Sequence, residues 1–110
     1  MRERLLRNGE GQTLEEFLRA YRPGDYPRPG VTVDLLVFSL EGPKPELLMV
    51  RRGNHPYLDW WALPGGFVEP EEFTIDAAAR ELEEETGAAG LSLVELGFFS
   101  GPDRDPRGWT

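Results

Sequence analysis

Apolar positions recur along this chain with two different spacings. Leu14, Phe17, Leu18 and Tyr21 follow each other three and four apart, the period of one face of an α-helix. Thr13 precedes them and Glu16 lies three residues further on, a capping-box pattern. A short helix over 13–21 is therefore predicted. Residues 22–30 contain Pro23, Pro27 and Pro29, which fix φ and remove backbone donors, so an extended or turning connector must follow. Val31 to Leu40 is β-branched and apolar and predicts a strand buried on both faces. A turn at 41–45 leads to a second strand over 46–52, antiparallel to the first. A loop rich in Gly, Asn, Pro and aromatic residues runs to about Asp59. Residues 60–67 lead into an expected Gly-Gly turn at Gly65 and Gly66. Thr74 is the expected cap of a second helix ending near Thr86, with Gly87 as its stop. Leu91 to Phe99 alternates enough for a further strand, and 100–110 reads as loop. Strands and helices interleave, which predicts an α/β or α+β class.

Composition narrows the possibilities. The 110 residues suit one small domain, and 39% hydrophobic residues suit a modest globular core. There is no cysteine, which excludes a disulfide scaffold, a Cys-based zinc site and a thiol nucleophile. The longest apolar run is Leu35 to Phe38, far short of a bilayer span. Arg2, Glu3, Arg4 and Arg7 surround only two leucines, unlike the core of a signal peptide. No repeat or low-complexity tract is present. A soluble cytoplasmic protein with no membrane partner is the expectation.

Charge changes the picture more than composition does. The net charge is −8, and residues 69–85 carry eight acids against Arg80 alone. The rest of the chain is nearly neutral. An acidic surface argues against nucleic acid as a partner. At 100° per residue, Glu81 and Glu85 lie about 40° apart and Glu84 about 60° to the other side of Glu81, so the three share one helix face. Glu83 points away, toward solvent. Ile75, Ala78, Ala79, Leu82 and Thr86 form a separate apolar seam.

Carboxylates at this spacing repel one another, and Glu84 and Glu85 sit at the helix end least suited to anions. A divalent cation would reverse both penalties. Oxygen ligands with no Cys or His beside them favour Mg²⁺ or Mn²⁺ over Zn²⁺. Taken alone, an acidic helix is more often a solvated face than a metal site.

The wider spacing favours the metal. Gly66 is followed after five residues by Glu72 and after seven more by Arg80-Glu81-Leu82, then Glu84-Glu85 and Gly87. This resembles the signature of the Nudix hydrolases, and the box covers 66–88. Trp61-Ala-Leu-Pro-Gly65 and Arg51-Arg52-Gly53 are similar to the family as well. The resemblance implies an α/β/α sandwich with a mixed sheet over 31–110, preceded by a helix and Pro-rich connector over 1–30. It also implies further strands and a C-terminal helix beyond Thr110, so the domain reads as incomplete at that end. Open strand edges would then favour a homo-oligomer, with strands exchanged between chains.

Residue by residue, the resemblance implies that the Gly65 carbonyl and Glu81, Glu84 and Glu85 hold Mg²⁺ or Mn²⁺ and activate water. Arg80 matches an arginine that pairs with Glu72 and braces the preceding loop. Glu69 matches an acid near the metals. The implied reaction is hydrolysis of a diphosphate linkage in a nucleoside diphosphate derivative. Two departures stand out. Glu71 occupies a position that is usually Gly, at a cost of about 1 kcal/mol if the backbone there has positive φ. Ala88 is smaller than the usual aliphatic residue.

Arg51 and Arg52 end the second strand, where substrate phosphates would lie, and strand alternation lets only one of them face the site. Trp60, Trp61, Phe98 and Phe99 read as packing residues, and His55 as a surface residue. The connector 26–34 and Asp105-Pro-Arg-Gly108 resemble members acting on ADP-ribose, which would yield AMP and ribose 5-phosphate. The connector is also similar to Nudix-type ligand-sensing domains of transcriptional regulators, which bind such nucleotides without turnover. A non-catalytic structural domain is the third reading.

Overall fold

The computed structural model describes residues 6–110. Arg2, Glu3 and Arg4, from the stretch considered as a targeting signal, lie outside the described residues. The elements are α1 (Leu14–Ala20), a 3₁₀ turn (Pro23–Asp25), β1 (Thr32–Asp34), β2 (Phe38–Ser39), β3 (Glu46–Leu47), β4 (Val50–Arg51), β5 (Trp61–Ala62), β6 (Gly65–Phe67) and α2 (Thr74–Thr86).

The first helix forms where its cap predicts. The Thr13 hydroxyl accepts from the Glu16 N–H at 3.2 Å, and the Glu16 carboxylate accepts from the Thr13 N–H at 3.3 Å. Its apolar face continues into the connector, where the rings of Tyr21 and Tyr26 stack 5.5 Å apart.

The expected strand over 31–40 is divided. Its first part, β1, pairs antiparallel with β6, with Thr32 opposite Phe67, Val33 opposite Gly66 and Asp34 opposite Gly65. Leu35 extends this contact by donating to the Pro64 carbonyl at 2.9 Å. The second part, β2, pairs antiparallel with β3, as anticipated for the second strand, and β4 pairs with β5. Burial on both faces does not hold. Leu35 is buried, whereas Phe38 and Leu40 are exposed, because only the β1–β6 ladder is covered by a helix.

The glycines at 65 and 66 form strand β6 rather than a turn. A Cβ on Gly65 would meet the Val33 carbonyl oxygen. The position needs glycine because two backbones come close together, not because the chain reverses there.

Helix α2 starts one residue differently from expectation. Phe73 is the N-cap and has no side-chain capping bond, while Thr74 is already helical and donates its hydroxyl to Glu95 at 3.4 Å. Gly87 ends the helix in the left-handed conformation (φ 78°), and its N–H returns to the Glu83 carbonyl. The buried seam is also displaced. Ala77 and Leu82 are buried, whereas Ile75 is 39% exposed and Ala79 is exposed. Ala77 lies one turn before Glu81, so the carboxylate edge itself is turned partly onto the ladder.

Residues 91–99 form no strand, and Val94, Leu96, Phe98 and Phe99 are each at least 80% exposed. Alternation gives a strand two distinct faces, but a strand also needs a ladder partner for its backbone groups. Trp60 and Trp61 are exposed rather than packed. The radius of gyration is 20.3 Å, against about 13 Å for a compact domain of this length.

Candidate active site

The box residues converge where the end of β6, the loop 68–73 and α2 meet. Arg80 joins all three. Its Nε donates to Glu72 Oε2 at 2.8 Å and its Nη2 to Glu72 Oε1 at 2.9 Å, a two-pronged pair. Nη2 also donates to the Phe67 carbonyl at 3.1 Å. The Glu69 N–H donates to Glu72 at 3.0 Å. Chiefly because of Arg80, and further because of that N–H, the Glu72 carboxyl is held down at about 2. The pair thus ties the loop to the helix.

The remaining prong of Arg80 lies among the acids. Nη1 stands 2.8 Å from Glu81, 3.3 Å from Glu84 and 3.7 Å from Glu69. Glu81 is mostly covered and Glu84 and Glu69 are largely open to water. Among the described residues no group of three or more acidic or histidine side chains is gathered closely enough to hold a metal ion. The guanidinium engages Glu81 and Glu84 but makes no ion pair with Glu85 among the described residues.

Glu85 takes the other side of the helix edge. Its Oε2 accepts from the Gly65 N–H at 3.4 Å. Burial pushes its carboxyl up, and the like charges of Glu81 and Glu84 add to this; the Gly65 N–H and the Arg52 guanidinium act in the opposite direction. Gly66 packs directly on the Glu81 carboxylate, and a Cβ there would lie 2.5 Å from Glu81 Oε1. A bare backbone therefore faces the acid edge. By donor chemistry alone, three carboxylates beside bare backbone, one with its charge disfavoured first by burial and then by its neighbours, suit a hard dication, although they do not converge on one point.

A cleft of about 640 Å³ is lined by Gly65, Gly66, Glu85, Arg51 and Arg52, but not by Glu81 or Glu84. The two arginines are held differently. Arg52 Nε donates to the Pro56 carbonyl, and its charge acts on Glu85. Arg51 Nε donates to the Asp59 carbonyl at 3.2 Å, with its guanidinium 5.8 Å from the Trp61 ring centre. Both border the cleft, contrary to the expectation that strand alternation would let only one of them face it. Glu69 and His55 do not line it.

A third wall was not anticipated as part of the site. Thr32, Arg104, Asp105 and Arg107 also border the cleft. The tail returns to the ladder through the Gly30 N–H, which donates to the Trp109 carbonyl at 2.7 Å. Asp105 accepts from the Arg107 N–H, Nε and Nη2 at 2.8–3.1 Å. The Arg107 guanidinium then lies 4.9 Å above the Phe67 ring. The signal for this wall was the Asp105-Pro-Arg-Gly108 stretch itself, whose resemblance concerned substrate class rather than position.

The NUDIX domain family model matches residues 28–109. The ADPR responsive transcriptional repressor NtrR of Acinetobacter baylyi is 39% identical over 98 residues, covering 87% of this chain and 39% of the repressor. The ADP-ribose pyrophosphatase of Methanocaldococcus jannaschii is 42% identical over 91 residues, covering 83% of this chain and 50% of that enzyme. Among solved structures, the NUDIX domain of Shewanella oneidensis NrtR complexed with ADP ribose superposes with a TM-score of 0.82 at 33% identity, covering 89% of this chain and 65% of that one. The chain spans half or less of the length of these two curated relatives.

Proposed function

This chain belongs to the Nudix domain family, and on that premise we propose that it hydrolyses the diphosphate linkage of a nucleoside diphosphate derivative, ADP-ribose foremost, with Mg²⁺ or Mn²⁺. The observation that carries this reading is one cleft lined by the Glu85 carboxylate, the glycine backbone of β6 and Arg51, Arg52, Arg104 and Arg107. Carboxylates suit a dication and arginines suit phosphate oxygens. A pyrophosphatase among the relatives supports the substrate class.

Glu81, Glu84, Glu85 and the Gly65 carbonyl would hold the dication. When bound it polarises phosphoryl oxygens and lowers the pKa of coordinated water. The residues of the chain do the rest. Arg80 and Glu72 lock the loop to α2, so that the acid edge is held in place by paired charges. Glu85 borders the cleft and accepts from the Gly65 N–H, which places its carboxylate beside the β6 backbone. Arg51 and Arg52 present N–H donors to the diphosphate. Water adds to one phosphorus, the bridging oxygen leaves with the other phosphate, and the products are AMP and ribose 5-phosphate.

Ligand sensing without turnover is the second reading. The repressor relative favours it, and so does the engagement of Glu81 and Glu84 by Arg80. Incubation with ADP-ribose and Mg²⁺, followed by chromatography, tests both readings. AMP with ribose 5-phosphate supports hydrolysis, and saturable binding with intact ADP-ribose supports the sensor.

The described residues contain no helix long and apolar enough to cross a membrane.

A further inference from the structure

The two arginines of the tail differ in what holds them. Arg107 is held by a two-pronged pair: both oxygens of Asp105 accept from its guanidinium, which lies over the Phe67 ring. Its charge is cancelled and its position fixed. Arg104 is different. Among the described residues its one side-chain hydrogen bond is from Nη2 to the Thr32 hydroxyl at 3.3 Å, and it makes no ion pair within 4 Å. Of the two acids that flank it, Asp105 spends both oxygens on Arg107 and meets Arg104 only as a nearby charge, and Asp103 makes no ion pair with it among the described residues. Most of the guanidinium donors of Arg104 are therefore unused, at a point where the side chain borders the cleft.

A fixed neighbour and a free charge on one short loop divide the labour. The clamp of Asp105 on Arg107 holds the loop against β6, and the bond to Thr32 of β1 aims the Arg104 side chain along the ladder edge. Arg51 and Arg52 approach the same cleft from the β4 side. A ligand entering there meets arginines from both segments and, of the acid edge, Glu85.

We propose that Arg104 is a substrate-binding residue that grips a phosphate of the nucleotide diphosphate in the cleft that Arg51 and Arg52 also line. This rests on reading the cleft as the nucleotide site. The guanidinium fork suits two phosphate oxygens at once, which a lysine cannot reproduce. The shared charge also makes binding sensitive to salt.

Isothermal titration of ADP-ribose into the whole chain, at two salt concentrations, tests the assignment. Arg104→Gln should weaken binding about 10-fold or more, a typical loss for a charge-assisted bond to phosphate, and should reduce the salt dependence. Arg104→Lys should recover part of the affinity. The melting temperature should stay within a degree or two of the wild type, since the side chain is exposed. Unchanged affinity and salt dependence in Arg104→Gln would overturn the proposal. So would a loss of affinity that appears only with a matching fall in melting temperature, which would make Arg104 a prop for the loop. A wild-type chain that binds no ADP-ribose would remove the nucleotide reading and this assignment together, an outcome distinct from failure at Arg104 alone.

Discussion

Gly66 faces the Glu81 carboxylate so closely that a Cβ on the glycine would lie 2.5 Å from Glu81 Oε1. The first residue of the box and its first helical glutamate are thus in contact across fifteen residues of chain, and each limits the other. Gly66→Ala should displace Glu81 from both β6 and Arg80. The expected cost is about 1–3 kcal/mol, as for overpacking at a covered site, read by chemical denaturation. Mg²⁺-dependent turnover should fall as well. An alanine variant with unchanged stability would mean that Glu81 moves aside freely.

Glu71 has φ 65°, the left-handed conformation that its usual glycine adopts without penalty. The residue is strained, while the neighbouring pair of Glu72 with Arg80 remains intact. Glu71→Gly should therefore stabilise the fold, by up to about 1 kcal/mol, or roughly 4–8 °C in melting temperature for a domain of this size. A lower melting temperature would show that the acid makes a compensating contact.

Glu72 titrates at about 2 in the folded chain, below the usual carboxylate value of 4.5. A depressed folded value means that the unfolded chain takes up the proton first. The stabilisation is thus complete above about pH 4.5 and is lost as pH falls toward 2. Melting curves of wild type and Glu72→Gln should differ at pH 6 and converge near pH 2. A constant difference over that range would show that the pair contributes through packing rather than charge.

Glu85 shows the opposite sign. Burial raises its carboxyl above the usual value, so its ionised form opposes folding, and that opposition grows as pH rises through its folded value. Without metal, Glu85→Gln should melt at the same temperature or slightly higher at pH 7. With Mg²⁺, both Glu85→Gln and Glu84→Gln should lose hydrolysis of ADP-ribose while the helix signal in circular dichroism is retained. Full activity in both variants would refute the assignment of the acid edge.

Val94, Leu96, Phe98 and Phe99 expose nearly all of their surface, and exposed apolar area of this kind promotes association. Light scattering at tens of micromolar should therefore give a mass above that of one chain. Phe98→Ser with Phe99→Ser should shift it toward monomer. A monodisperse monomer in the wild type would count against association.

The chain's short-range order was legible in the residues. The capping box of Thr13 and Glu16, the stop at Gly87 and the helix over 74–86 all follow from residues within a few turns of each other, whereas the pairing of Arg80 with Glu72 was implied by the spaced motif and its family resemblance. Such signals survive without knowledge of distant segments, because caps, periodicity and i,i+4 neighbours act locally. Even the suspicion about Glu71 came from one position in a spaced motif.

Contacts between remote segments were decided only in three dimensions. Gly65 and Gly66 read as a turn until β1 was seen to pass against them. Residues 91–99 have a strand's alternation, but alternation does not provide a ladder partner. Trp60 and Trp61 are apolar, and nothing local says that no layer covers them. Ala77 rather than Ile75 is buried, because the ladder meets α2 on its acidic side. Arg104 reaches the cleft because the tail returns to a strand some seventy residues earlier. The sequence by itself determined which side chains could do chemistry and where helices start and stop. The tertiary structure decided which of them meet, because loop closure and backbone pairing join positions whose separation along the chain leaves no periodic trace.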